Sequence, residues 1–378
     1  MFSIRLRDRF RSRVPALPAI ALAMLGFSGV PAAACGICIV DMPDKTMADR
    51  VLESDAVVLA REVSGKPFAF TPVSVLKGSL PPDPIPYLVD SATRRKLGMS
   101  PEDAVLLVWT RLDTKRFGPF AGGPSKAEWM LLGYAGPEYQ RLVARILAHG
   151  DDWQRDRSSE DRLRFFEALH DHPDQTIRLV ALSELARAPY GFIRRVSTRL
   201  TLTEITRTLR NQTMMRWAPI HILLLGRSDD PGSRELVRGA VEAAASLSSQ
   251  ANLAAWATAL VEIDGRRGVD ALARAYFGVP TRSDAELKEV VTALGVQGSE
   301  GEPSLRPAIM LAFHELANDR PQMAPYVAVH LADWNDWSQA DAFLHLLQTQ
   351  AIKAPEEVFM LSVYVNAARD RRDMDGTR

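Results

Sequence analysis

Repeated amphipathic helical patterns in the second half of the chain restrict its fold more than any other feature. Apolar residues recur there at i, i+3, i+4 and i+7, the spacing that places them on one face of an α-helix. Each stripe needs another element to cover it, so the pattern predicts helices packed on one another over residues 155–370. The full matches are Leu253, Trp256, Ala257 and Leu260; Ile309, Ala312, Phe313 and Leu316; and Ala340, Phe343, Leu344 and Leu347.

Proline and glycine divide this half into segments that mostly hold one or two short helices. Ser159, Ser283 and Ser338 stand near predicted helix starts, where a serine hydroxyl can cap the first turn. The spacing predicts roughly five or six helix pairs of about 35–40 residues, followed by a disordered tail at 371–378. The dividing residues are Pro173, Pro189, Pro231, Gly265, Pro280, Pro303, Pro321 and Pro355.

One segment of this array resembles the second helix of a HEAT-type repeat. It runs from Asp174 to Ala186, with Arg178 on the predicted exposed side and small alanines where helices approach closely. The resemblance implies an α-solenoid, in which stacked helix pairs present an extended surface to a protein partner.

Residues 35–150 carry a different pattern, made of short apolar or alternating runs between proline and glycine clusters. Residues 44–54 predict a short helix, and the later runs predict five strands that form a small β-barrel or sandwich. We therefore expect an α+β, multidomain chain, with this β-rich domain followed by the helical array. The predicted strands cover residues 56–63, 68–76, 85–89, 104–110 and 128–134.

Residues 1–34 have the order of a cleavable secretory signal peptide. Five arginines precede an uncharged apolar run, and Ala32 and Ala34 offer the small side chains that signal peptidase selects. The run is short for a membrane span and contains two prolines, which favours cleavage over an uncleaved anchor. The pattern predicts a mature protein that begins at Cys35 and is periplasmic or secreted.

The charge balance bears on the kind of partner. Removal of residues 1–34 leaves 41 basic and 45 acidic residues, a net charge of about −4. A surface for nucleic acid needs clustered lysine and arginine, whereas the basic residues are scattered among acidic ones along the predicted helices. We expect a protein partner and no nucleic acid.

The only two cysteines of the chain, Cys35 and Cys38, follow the predicted cleavage site, and three interpretations of them stay open. In an oxidising compartment they can form a local disulfide. Lipidation of Cys35 would instead tether the protein to the membrane of the envelope. Two thiolates with a free α-amino group can also hold copper or zinc, or serve a redox role.

The N-terminal part resembles bacterial relatives of the netrin and metalloproteinase-inhibitor (TIMP-like) modules. The closely spaced cysteines, the run from Ser54 to Ala60 and the run from Val73 to Gly78 carry this resemblance. It implies an OB-type barrel that binds a peptide or a protein. The chain departs from the family in having CxxC instead of CxC and in lacking the later cysteines, so protease inhibition is not implied.

No combination of residues predicts a catalytic site. His314 and Glu315 begin like a zinc-protease helix motif, but Asn318 stands where the second histidine is needed. Ser74 and Lys77 have SxxK spacing, yet they lie on a predicted strand instead of opening a helix. We therefore expect a protein that is not an enzyme.

Histidines and tryptophans supply the other candidates. His170 and His172 can bind copper or zinc if a third ligand approaches them, although the end of a helix favours such side chains by itself. His221 shares a helical face with apolar residues, which predicts a buried, hydrogen-bonded core histidine. Trp334 and Trp337 lie in a predicted turn, where packing on the core is favoured over a role as a contact site.

Two functional hypotheses follow. The first is an exported, non-catalytic binding or scaffold protein of the cell envelope that uses the helical-repeat surface. The alternative is a periplasmic metal-handling or redox protein that uses Cys35 and Cys38, with His170 and His172 as further ligands for copper or zinc.

Overall fold

The structure is a computed structural model of the chain. It describes residues 45–66, 68–79, 84–100, 103–111 and 127–376. The predicted signal peptide, its cleavage site at Ala34 and the pair Cys35 and Cys38 lie outside these residues. Among the helices of the described ranges, none combines the length and the apolar character that a membrane span requires.

An antiparallel sheet of five strands organises the first part of the chain. Its strands are β1 Ala56–Glu62, β2 Ala69–Lys77, β3 Ile85–Pro86, β4 Ala104–Arg111 and β5 Ala127–Ala135. All five predicted strands are confirmed, although β3 has only two residues. In the described residues the order is β3-β2-β1-β4-β5, so the expected barrel is a curled half-barrel with β3 and β5 at its edges.

Both faces of this sheet are buried, which explains the continuous apolar run of β1. Val57 and Leu59 face a core shared with several helices. Val58 and Ala60 face the opposite side, where they pack with residues of the other strands and of α2 (Ser91–Met99). Because successive side chains of a strand point to opposite faces, a strand buried on both faces shows no alternation of apolar and polar residues.

Three other helices, α1 (Met47–Glu53), α3 (Pro137–Ala148) and α4 (Gly150–Arg155), cover the face formed by Val57 and Leu59. Helix α1 confirms the predicted short helix. Helices α3 and α4 were not predicted, and neither was α2 on the opposite face. Helix α3 buries Tyr139, Leu142, Val143 and Ile146, and α4 buries Trp153.

The remaining described chain is helical, as the periodicity predicts. Ser159 caps α5 and Ser283 caps α13 as expected, while Ser338 lies two residues before α16. Helix α17 continues through most of the segment for which a disordered tail is expected. The α-helices are α5 Glu160–Glu167, α6 Gln175–Leu185, α7 Tyr190–Ile193, α8 Leu202–Leu209, α9 Ala218–Gly226, α10 Pro231–Leu247, α11 Leu253–Asp264, α12 Arg266–Leu272, α13 Asp284–Glu300, α14 Arg306–Asp319, α15 Ala324–Asp333, α16 Ala340–Gln348 and α17 Pro355–Gly376.

The apolar stripes that predicted these helices are buried against neighbouring helices. In α14, Ile309, Ala312, Phe313 and Leu316 all belong to the large helical core. In α16 the stripe is only partly covered, because Leu344 is exposed. Burial of such stripes is the main source of helix stability in a folded protein.

A buried ionic cluster joins α1 to the helices α5 and α6. The guanidinium of Arg162 donates to Asp49 Oδ1 at 2.7 Å and to Glu184 Oε2 at 2.9 Å. Arg187 also pairs with Asp49, while Glu184 Oε1 has no partner among the described residues. Burial raises the pKa of Glu184 and outweighs the attraction of Arg162. The cluster therefore ties the sheet region to the first helices of the array through charges that water does not screen.

Candidate functional site

The segment 194–216 carries a local excess of positive charge, with six arginines in 23 residues. Glu204 is its only acidic residue. We call this segment the arginine surface. Its arginines are Arg194, Arg195, Arg199, Arg207, Arg210 and Arg216, and all but the half-buried Arg194 are exposed.

Helix α8 orders the middle of the arginine surface. Thr201 and Glu204 form a capping box, in which Thr201 N donates to Glu204 Oε2 at 2.8 Å and Glu204 N donates to Thr201 Oγ1 at 3.3 Å. The hydrogen bonds from Thr201 hold the pKa of Glu204 below its usual value. Ile205 is the buried anchor of this helix, and Arg207 and Arg210 are left on its exposed side.

Ion pairing separates Arg194 from the other arginines. Arg194 Nε lies 2.9 Å from Glu262 Oε2, and Arg227 Nη1 lies 2.7 Å from Glu262 Oε1. Burial alone would raise the pKa of Glu262, but its hydrogen bonds with Arg194 and Tyr190 outweigh that effect and lower the pKa.

The other arginines of the arginine surface are not held by a carboxylate in this way. In the described part of the chain, five of them form no ion pair with a carboxylate, so their charge is available to an external anion. They are Arg195, Arg199, Arg207, Arg210 and Arg216.

Open clefts border the same segment. Cavities of about 630, 330, 490 and 270 Å³ are each lined in part by residues of 194–211. The cleft of about 490 Å³ combines an apolar floor with a polar rim. Its floor is Val196, Leu200, Leu202, Ile205 and Leu224, and its rim is Arg194, Arg195, Ser197, Thr198, Arg227, Ser228 and Asp229, while the remaining lining residue, Ser233, is buried.

The structure places the predicted metal ligands His170 and His172 in separate environments. His170 is buried after the end of α5, with Nδ1 2.6 Å from the carbonyl oxygen of Glu167, so Nδ1 carries a proton. His172 Nδ1 accepts from Asp174 N at 3.0 Å, and its Nε2 lies 3.7 Å from Glu138. Within the described ranges, no three histidine, cysteine, aspartate or glutamate side chains are grouped to hold a metal ion.

The expected core histidine is confirmed, since His221 is buried and its Nδ1 lies 2.7 Å from the carbonyl oxygen of Trp217. Trp334 also packs as expected, with its ring 5.7 Å from that of Phe313. Trp337 lies 5.2 Å from the ring of Tyr364. Both tryptophans are partly buried and pack against the helical core.

His314 has neighbours that resemble a catalytic triad by composition but not by geometry. Its Nε2 lies 2.6 Å from Asp336 Oδ2 and 3.4 Å from Ser338 Oγ. A relay needs the acid on one ring nitrogen and the nucleophile on the other. Because both groups approach the same nitrogen, His314 cannot take a proton from Ser338 while Asp336 orients it.

The arginine surface was not predicted from the sequence. Basic and acidic residues were expected to be interspersed along the helices, and this holds for the chain as a whole but fails over residues 194–216. A count of charges in a window of about 20 residues would have found the segment. The clefts beside it required the structure, because α9 and α10 supply part of their walls.

Comparisons with models of known families, with curated proteins and with solved structures found no match.

Proposed function

We propose that this protein is an exported, non-catalytic binding protein of the cell envelope that holds an anionic protein partner on the arginine surface. One observation carries the proposal: four exposed arginines that form no ion pair with a carboxylate in the described chain, Arg195, Arg199, Arg207 and Arg210, line open clefts. Arginine suits this role because its planar guanidinium forms paired hydrogen bonds with carboxylates and stays charged at any physiological pH.

The architecture supports a binding role. The second part of the chain is proposed to be a HEAT-like α-solenoid, an architecture that presents extended surfaces to protein partners. The half-barrel is proposed to be OB-like: Leu131 N of β5 donates to Tyr87 Oη, next to β3, at 3.0 Å, and so links the two edge strands. The predicted signal peptide would place the chain in the periplasm or outside the cell, and lipidation of Cys35 is the alternative that would tether it to the membrane.

The binding of fluorescent poly-L-glutamate, measured by anisotropy, tests the proposal. We expect saturable binding by the purified protein that weakens as salt rises from about 0.05 to 0.5 M, because salt screens exposed charges. A triple variant, Arg199→Glu, Arg207→Glu and Arg210→Glu, should bind at least about 10-fold more weakly, since charge complementarity becomes repulsion.

A matched variant controls for net charge. Arg267→Glu, Arg274→Glu and Arg369→Glu change the same number of exposed arginines outside the arginine surface, and we expect affinity within about 2-fold of the parent. Equal losses in the two triple variants would contradict a localised site. Absence of binding by the parent protein at low salt would refute the proposed function.

A further inference from the structure

The chain between α7 and α8 leaves main-chain groups free beside the 490 Å³ cleft. Residues 196–201 have no regular secondary structure. The backbone groups of Thr198 and Arg199 form no hydrogen bond to any part of the chain that the structure describes, whereas their neighbour Ser197 donates its N–H to Glu167. Free N–H and C=O groups on an irregular segment can pair with a second chain in the manner of an added strand.

The floor of this cleft is apolar and recessed. Ile205 and Leu224 are almost completely buried at its base, while Leu200 and Leu202 are half-buried and complete it. Leu200 and Leu202 are the floor residues that keep accessible surface, so an aliphatic side chain that covers them removes apolar surface of both partners from water.

The rim selects the charge of the occupant. Glu262 holds Arg194 and Arg227 in place. Arg195 is exposed, and the only carboxylate of the rim is Asp229, which is itself fully exposed and 4.0 Å from Arg234. With Glu262 counted, three guanidinium groups stand against two carboxylates, and Arg195 is the one that forms no ion pair with a described residue. This remaining positive charge favours acidic residues beside the aliphatic anchor.

We infer that this cleft binds an extended, acidic peptide segment of a partner protein, with one aliphatic side chain on the apolar floor. The inference rests on the proposed function and names the form of its ligand. A bilayer surface fits less well, because the apolar floor lies below the arginine rim. In the described part of the arginine surface, Met215 is the only large apolar side chain that is prominently exposed.

Two fluorescent nine-residue peptides of aspartate and glutamate test the inference, one with a central leucine and one with a central serine. The purified protein should bind the leucine peptide about 10-fold or more tightly, because full burial of a leucine side chain accounts for at least such a factor. Equal affinity for the two peptides would overturn the inference.

Variants of the protein locate the binding site. Ser197→Trp places a large ring at the exposed mouth of the cleft and should reduce affinity for the leucine peptide to that for the serine peptide. The control Thr203→Trp adds the same ring at an exposed position of α8 outside this cleft and should leave both affinities unchanged. Far-ultraviolet circular dichroism checks that both variants are folded. A loss shared by both variants, or by neither, would overturn the assignment.

The outcomes separate this inference from the proposed function. If poly-L-glutamate binds in a manner that depends on Arg207 and Arg210, but leucine adds nothing, the inference fails and the proposed function stands. If neither probe binds, both fail. If vesicles containing phosphatidylglycerol bind and the leucine peptide does not displace them, the surface serves a membrane and the inference is overturned.

Discussion

The replacement of Arg162 by methionine tests how the sheet region is joined to the helices. Arg162 is completely buried, and it donates to Asp49, to Glu184 and to the carbonyl oxygen of Trp153, the last at 3.2 Å. Methionine keeps much of the apolar stem and removes the guanidinium. Two carboxylates that are almost fully buried would then lose their central cation, and only Asp49 would keep arginine partners, Arg187 and, at 4.0 Å, Arg157.

The expected loss of unfolding free energy is about 3–5 kcal/mol, the range found when one member of a buried ion pair is removed. Arg164→Met is the matched control on the same helix. The Arg164 side chain is 43% exposed and pairs with Glu160 and Glu167. Exposed pairs contribute about 0–1 kcal/mol, so this variant should lose no more than that.

The pH dependence of the loss gives a second, independent readout. Burial already raises the pKa of Glu184, and removal of Arg162 would raise it further. Burial also acts to raise the pKa of Asp49, but Arg162 and other partners lower it overall, so Asp49 stabilises the folded state above its ordinary pKa. Both effects make the Arg162→Met loss largest near neutral pH and smaller as the carboxylates become protonated in acid.

Urea unfolding, followed by tryptophan fluorescence at about pH 8 and about pH 4.5, measures both quantities. We expect a larger loss at the higher pH for Arg162→Met and little pH dependence for Arg164→Met. A loss below about 1 kcal/mol for Arg162→Met, or the same loss at the two pH values, would refute the view that this cluster holds buried, charged carboxylates.

Three other predictions concern packing, acid stability and the N-terminus. Gly295→Ala should lower the free energy of unfolding, measured in urea, by about 1–3 kcal/mol, because the new Cβ would lie 2.2 Å from the His330 ring. Gly239→Ala, which has open space around it, should raise this free energy by about 0.5–1 kcal/mol. Burial lowers the pKa of His330 to about 4, so stability should fall as pH drops from about 6.5 towards 4, and a level profile would contradict this. Intact-mass and elemental analysis should show a chain that begins at Cys35 and carries a disulfide, which lowers the mass by two hydrogens, a lipid or a bound metal. A chain that retains residue 1 would contradict export with cleavage.

Much of the secondary structure was readable from local patterns. The apolar run of β1 predicted a strand because both of its faces are buried, and the stripe of α14 predicted a helix because one face meets the core. Helix α3 was missed although Tyr139, Leu142, Val143 and Ile146 follow the same helical spacing. Helix α2 was missed because Leu97 is its only buried residue, so no stripe marks it.

Features set by contacts between distant segments were not predictable in this way. Whether β3 pairs with β5 depends on residues far apart in the chain, and no local pattern records it. Arg162 and Arg164 lie two positions apart on α5, yet one is buried and the other exposed, because only Arg162 points towards α1 and α6. The excess of arginine at 194–216 was visible in the sequence, but the cleft beside it depends on residues that α9 and α10 contribute.

Hydrogen–deuterium exchange with and without poly-L-glutamate tests the central claim, a localised anionic-ligand surface, most directly. The account predicts slower exchange over residues 196–211, where the irregular segment and α8 would be covered, and unchanged exchange in α13 to α17. Protection spread evenly over the helices, or confined to α13 to α17, would contradict it.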